Sequence, residues 1–147
     1  AMGQTTWLFL VLGSLLSFVW ESYQMPVFGP RSLTSYQQTI RCGIASLGDG
    51  VILLAAHRLA VFIGGADWWA SSRKSAYFTY FGFGLAVAVL VELIATSLPP
   101  DSVFAWRYSR LMPIDPVLGL ALVPIAMWVI VPGVTLVLVR FTTARTV

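Results

Sequence analysis

Hydrophobic residues fill four long stretches of the chain, and polar residues gather in the segments between them. Each stretch approaches or exceeds the roughly 20 apolar residues that an α-helix needs to cross the hydrocarbon core of a bilayer. The strict alternation of apolar and polar positions that is typical of strands does not occur in them. The pattern therefore predicts an all-α integral membrane four-helix bundle. Its transmembrane helices are expected at about residues 5–24, 39–64, 76–98 and 116–140.

The composition also indicates a lipid environment. Hydrophobic residues make up 58% of the 147 positions, charged residues make up 10%, and the mean hydropathy is +0.83. Such values are typical of membrane proteins, so we expect residues 1–147 to form one transmembrane domain. The net charge of +3 comes mainly from Arg and Lys at helix ends and in connections, where these residues anchor helices in membranes. We therefore expect no nucleic-acid partner.

The residue types that most often hold cofactors are scarce. The single cysteine, Cys42, rules out an internal disulfide and a multi-thiolate metal site, and the single histidine, His57, leaves histidine-rich metal or haem sites without ligands. A glycine-rich phosphate loop, a Gly-x-Ser-x-Gly elbow and an HExxH motif are absent from the sequence. The sequence thus predicts neither a bound metal nor another cofactor.

Local signals mark the fourth helix and the second connection. Asp115 followed by Pro116 predicts an N-cap with proline at the first helical position, so the fourth helix is expected to start there. Trp68 and Trp69 predict an interfacial anchor between the second and third helices.

The basic residues divide almost evenly between the two sides of the membrane, and Arg58 favours a topology with both termini in the cytoplasm, in a bacterial inner membrane.

Three carboxylic acids interrupt the apolar stretches. Glu21 ends the first helix, and at 1.5 Å per residue Asp49 and Glu92 lie about 12 Å and 9 Å below the same membrane surface. A charge at that depth costs at least ~2.5 kcal/mol on insertion scales, so it must be paired, protonated or hydrated. We predict that Glu21, Asp49 and Glu92 are catalytic and share acid and base roles. The simpler interpretation of Glu21 is an interfacial position between Trp20 and Tyr23.

Other residues complete this candidate site. Small residues spaced by three or four share a helix face with each acid and indicate close helix contacts in lipid, so the acids are expected to face the bundle interior. The third connection returns over the same surface with aromatic and basic side chains, and aromatic rings can stabilise developing positive charge. The predicted substrate-binding residues are Gln24, Trp106, Arg107, Tyr108 and Trp128.

These motifs carry a family resemblance. Trp20–Glu21, Gly48–Asp49 and Glu92, followed by the loop W-x-Y-x-x-x-M-P at 106–113, resemble a pattern in small bacterial four-span membrane proteins without an established activity. About the last third of the chain is similar to integral-membrane lycopene cyclase domains, and the Trp-Glu pair is similar to membrane-bound meroterpenoid cyclases. The fourth helix lacks the acidic pair that is typical of lycopene cyclases. The resemblance implies an enzyme that acts on isoprenoids.

Three functions fit these features. The first is a membrane isomerase or cyclase that acts on a lipophilic small molecule, an isoprenoid or a lipid, by proton transfer between carboxyl groups; it predicts a cavity open to membrane lipid beside the acids. The second is a structural or accessory subunit of a larger membrane complex, with buried acids that specify packing and an interior filled by side chains. The third is a homo-oligomeric proton-coupled transporter or channel that uses the acids as proton sites.

Overall fold

Four long α-helices make up most of the described chain. The computed structural model describes residues 2–29, 33–102 and 105–144. The helices are α1 (Met2–Gln24), α2 (Ser35–Gly64), α3 (Lys74–Ser97) and α4 (Leu122–Ala144). Each is long and apolar enough to cross a membrane. The predicted fold class, an all-α four-helix bundle, is confirmed.

The helices form a ring in which each one packs against two neighbours. Both α2 and α4 pack against α1 and against α3, so α1 and α3 stand diagonally across the bundle. The first connection (residues 25–34) and the third connection (98–121) meet at one end, where Phe28 and Tyr108 form an antiparallel bridge. There the Gly29 N–H donates to the Arg107 carbonyl at 2.6 Å. We call this the acid-bearing end, because α1 reaches it with Glu21 in its last turn.

Helix α2 begins at Ser35, earlier than the apolar stretch predicted, because of a capping box. The Gln37 N–H donates to the Thr34 hydroxyl at 3.2 Å, and the Thr34 N–H donates to the Gln37 side chain at 3.0 Å. Two backbone donors that a helix start leaves unpaired are thereby satisfied. The polar turns before residue 39 are therefore helical, although hydrophobicity does not mark them.

Helix α4 begins at Leu122, later than Asp115 and Pro116 predicted. The predicted cap does form, since the Asp115 carboxylate accepts a hydrogen bond from the Leu118 N–H at 2.6 Å. Gly119 then adopts a φ of +69°, a left-handed conformation that ends a helical turn. The cap consequently closes one isolated turn, and the helix starts after it.

An aromatic stack closes the half of the bundle beside the second connection. The Phe9 ring stacks on the His57 imidazole at 4.1 Å, and the Trp68 indole N–H donates to His57 Nδ1 at 3.1 Å. Tyr80 meets Phe9 edge-on at 5.6 Å. Trp68 is 0% exposed, so its indole packs inside the protein. The interior can hold the indole because it supplies an acceptor for the N–H.

Candidate functional site

Glu92 lies inside the bundle on α3 and accepts hydrogen bonds from the segment that leads into α4. Its side chain is 3% exposed. The Tyr108 hydroxyl and the Ala121 backbone N–H, the latter at 3.3 Å, donate to Oε1, and the Trp106 indole N–H lies 3.4 Å from Oε2. Three donors converge on one carboxyl, which offsets the cost of burying it. We call this arrangement the Glu92 clasp.

The aromatic residues of the clasp also bind each other. The Trp106 indole N–H donates to the Tyr108 hydroxyl oxygen at 2.8 Å, and the Phe28 ring packs against Tyr108 with its centroid 5.5 Å away. Burial raises the pKa of the Tyr108 hydroxyl above its ordinary value, and the hydrogen bond and negative charge of Glu92 raise it further. Tyr108 therefore stays neutral at physiological pH and keeps the proton that it donates.

Arg107 does not join the acids, although it was predicted to bind substrate. Its guanidinium donates to the Leu98 carbonyl at 2.8 Å and to the Trp106 carbonyl at 2.8 Å. The side chain is exposed. Arg107 thus satisfies a carbonyl just after α3, a common use of arginine at helix C-termini.

Glu21 on α1 and Asp49 on α2 form a second acidic group, which we call the acid pair. Their carboxyls are close enough for an electrostatic interaction, and both side chains are half-buried. Helical side chains lean toward the N-terminus of their own helix. Because α1 and α2 are antiparallel, the two carboxyls lean toward each other. Asp49 Oδ2 is buried and has no hydrogen-bond partner among the described residues.

A short polar chain connects Glu21 to the α4 side of α1. Gln24 is 5% exposed, and its side-chain oxygen accepts a hydrogen bond from the Trp20 indole N–H at 3.0 Å. The Gln24 side chain also hydrogen-bonds Glu21. Trp20 therefore orients Gln24, and Gln24 orients the carboxyl of Glu21. The sequence predicted a role for Gln24 but not for Trp20.

The three predicted acids thus divide into two groups. Glu21 and Asp49 interact electrostatically across neighbouring helices, whereas Glu92 bonds to Tyr108, Trp106 and the backbone before α4. Both groups belong to the acid-bearing end, since Tyr108 bridges to the first connection directly after α1. The separation follows from the ring, in which α1 and α3 are diagonal.

Close packing surrounds both groups. A Cβ atom built on Gly50 would lie 1.9 Å from Ser14 Oγ, so α1 and α2 approach each other closely beside Asp49. On the other side of the bundle, a Cβ on Gly84 would lie 2.7 Å from the Trp128 ring. Trp128 was predicted to bind substrate; it is 5% exposed and packs on Gly84.

Two grooves run along the outside of the bundle. The larger, of about 590 Å³, lies between the start of α2 and the third connection and includes Arg41 and Asp101. The smaller, of about 310 Å³, lies between α1 and α4 and is lined by apolar and aromatic side chains, among them Trp20. None of the three acids lines either groove. The smaller groove nevertheless reaches the Trp20 side chain that binds Gln24.

Within the part of the chain that the structure describes, no three His, Cys, Asp or Glu side chains come together as metal ligands. Scans against protein-family models, curated proteins and solved structures found no match to this chain.

Proposed function

We propose that this integral membrane protein acts on a lipophilic substrate, an isoprenoid or a lipid, by proton transfer through the acid pair. The observation that carries the proposal is the electrostatic interaction of Glu21 with Asp49, together with one buried Asp49 oxygen that lacks a hydrogen-bond partner among the described residues. An acid-base group must have a free position for the proton that it takes or gives. Glu92 is less suited to this role, because donors already approach both of its carboxyl oxygens.

The proposed step is redox-neutral. One carboxylic acid protonates a carbon of a C=C bond; the π electrons form the new C–H bond, and positive charge develops on the neighbouring carbon. The other carboxylate removes a proton from an adjacent carbon, and the electrons of that C–H bond form the new C=C bond. The enzyme returns to its starting charge once the two carboxyls exchange a proton.

The surroundings of the pair supply binding and orientation. Gln24 holds Glu21, and Trp20 extends from Gln24 to the apolar groove between α1 and α4, which suits a hydrocarbon chain. The face of the Trp20 ring can stabilise a developing cation. In this proposal Glu92 is a positioning residue that ties the third connection over the acid-bearing end. This assignment differs from the catalytic role that the sequence predicted for it.

Deuterium incorporation tests the proposal. The protein is reconstituted in vesicles with membrane lipid extract and isoprenoids in D₂O, and the lipids are analysed by mass spectrometry. We expect solvent deuterium in a product of the wild-type protein and at least ~100-fold less with Asp49→Asn or Glu21→Gln. The exposed Asp67 provides the control, because Asp67→Asn should retain full turnover. Full turnover in both acid-pair variants would exclude the proposal.

A second candidate is a structural or accessory subunit of a membrane complex. The Glu92 clasp favours it, because a buried carboxyl with three donors specifies packing without any reaction. The filled aromatic stack around His57 favours it as well. Affinity purification from the native membrane distinguishes the two: a subunit brings a stoichiometric partner, whereas the enzyme alone converts lipid after that partner is removed.

We also propose a bacterial inner-membrane location with both termini in the cytoplasm. The second connection then faces the cytoplasm with its exposed Arg73 and Lys74, and the acid pair lies in the outer leaflet. Cysteine labelling of Lys74→Cys with a membrane-impermeant maleimide tests this topology. Labelling only after the cells are opened would support it, and labelling of intact cells would reverse it.

A further inference from the structure

Two serines of α1 lack the hydrogen bond that most hydroxyl residues of the described helices make. Helical Ser and Thr side chains commonly donate to the carbonyl one turn earlier. Seven of the described residues do so at 2.5 to 2.9 Å: Ser22, Thr39, Ser46, Thr79, Thr96, Thr142 and Thr143. The hydroxyl oxygens of Ser14 and Ser17, in contrast, are buried and have no partner among the described residues. Ser17 is 0% exposed, so its hydroxyl points into the protein.

Both hydroxyls belong to the surface that α1 presents to α2 beside Asp49. A Cβ built on Gly50, the residue after Asp49, would lie 1.9 Å from Ser14 Oγ and 3.2 Å from the Leu10 carbonyl oxygen. Ser17 follows Ser14 by one helical turn on the same face. Asp49 Oδ2 is the third buried oxygen in this region that lacks a partner. A buried polar atom in this state calls for an explanation, and a bound ligand is one, since each costs roughly 1–3 kcal/mol when it is left unpaired.

The chemistry of these atoms selects a hard, singly charged cation. All are oxygens: two neutral hydroxyls, one carboxylate oxygen and the nearby Leu10 carbonyl. Hard cations prefer such ligands, whereas zinc and copper prefer the nitrogen and sulfur of His and Cys. Calcium takes six to eight oxygens, usually with several carboxylates, and magnesium keeps most of its water. With Glu21 holding the proton of the acid pair, Asp49 supplies one negative oxygen among neutral ones, which balances a single positive charge. We propose that Ser14, Ser17 and Asp49 bind a sodium ion between α1 and α2.

The sodium site goes beyond the proposed function but shares one residue with it. Asp49 binds sodium as a carboxylate and exchanges a proton in the proposed reaction. Sodium therefore competes with the proton at this side chain. We expect turnover in sodium-free medium to fall when NaCl is added and to be unaffected by choline chloride.

Binding and stability experiments test the site. The purified wild-type protein is unfolded thermally in NaCl, KCl or choline chloride at equal ionic strength, and ²²Na⁺ binding is measured directly. We expect NaCl alone to raise the midpoint by about 5 °C. Ser17→Ala should weaken ²²Na⁺ binding at least ~10-fold, and Asp49→Asn should abolish it. Thr135 on α4 is another buried hydroxyl without a partner in the described part of the chain, so Thr135→Val should bind ²²Na⁺ as the wild type does.

Identical midpoints in the three salts without ²²Na⁺ binding would overturn the sodium site, and so would undiminished binding by Ser17→Ala. The same experiments test the proposed reaction independently of the sodium site. If sodium does not bind but Asp49→Asn loses turnover in choline chloride, the reaction stands and the sodium site falls. If ²²Na⁺ binds and Asp49→Asn keeps full turnover, the sodium site stands and the reaction falls.

Discussion

The Glu92 clasp makes the stability of the bundle depend on one hydroxyl group outside the helices. Tyr108→Phe removes this hydroxyl and keeps the ring that packs against Phe28. Two hydrogen bonds are lost, one donated to the Glu92 carboxyl and one accepted from the Trp106 indole. The substitution changes no other contact of the ring, so its effect reports on the clasp.

The expected loss follows from the two bonds. A hydrogen bond to a charged group contributes about 1.5–3 kcal/mol, and a bond between neutral groups contributes about 1 kcal/mol. The Trp106 N–H remains 3.4 Å from Glu92 Oε2 and compensates for part of the change. We therefore expect Tyr108→Phe to lower the free energy of unfolding by ~2–3 kcal/mol, which corresponds to a midpoint lower by ~5–10 °C for a chain of this size.

Reversible unfolding in mixed micelles, followed by tryptophan fluorescence and circular dichroism, measures this loss. Tyr36→Phe is the matched control: Tyr36 is 75% exposed, so its change should stay within about 0.5 kcal/mol. A Tyr108→Phe variant as stable as the control would refute the clasp. A double-mutant cycle with Glu92→Gln adds a second test, because a coupling energy near zero would show that the hydroxyl and the carboxyl act independently.

Three further outcomes test other parts of the structure. Gly50→Ala should destabilise the protein by ~1–3 kcal/mol through overpacking. Gly48→Ala should be neutral, because a Cβ there meets nothing within 4 Å. The denaturant midpoints of the two variants measure the difference in stability. Trp68→Phe should cost ~1–3 kcal/mol because the His57 imidazole of α2 loses its donor. Trp69→Phe should cost less in the same assay, because the Trp69 indole N–H is buried with no partner among the residues that the structure describes. Above pH ~10, Tyr108 ionises in the unfolded chain but stays neutral in the folded protein. The free energy of unfolding should therefore fall with rising pH, by up to ~1.4 kcal/mol per pH unit from this group. The fall should be shallower in Tyr108→Phe.

Length and hydrophobicity were sufficient to predict the four helices, because a bilayer-spanning segment must satisfy its own backbone hydrogen bonds. The helix starts were harder to predict. The start of α2 depends on the capping box of Thr34 and Gln37, a signal that is present in the sequence but lies outside the apolar stretch. The start of α4 depends on the left-handed conformation of Gly119, and glycine permits that conformation without requiring it.

The positions of the acids were predictable, but their partners were not. Depth follows from counting residues along a helix, whereas a partner depends on which helices are neighbours in the ring. The pairing of Glu21 with Asp49 requires α1 beside α2, and the isolation of Glu92 requires α1 and α3 to be diagonal. The burial of Trp68 was equally unpredictable from the sequence, because it depends on an acceptor, His57, that lies on α2.

The acid pair is most directly tested by following solvent deuterium into lipid in D₂O, with wild-type and Asp49→Asn proteins reconstituted side by side. We expect a deuterated isoprenoid or lipid product from the wild-type protein and almost none from the variant. Equal deuterium incorporation by both proteins would contradict it.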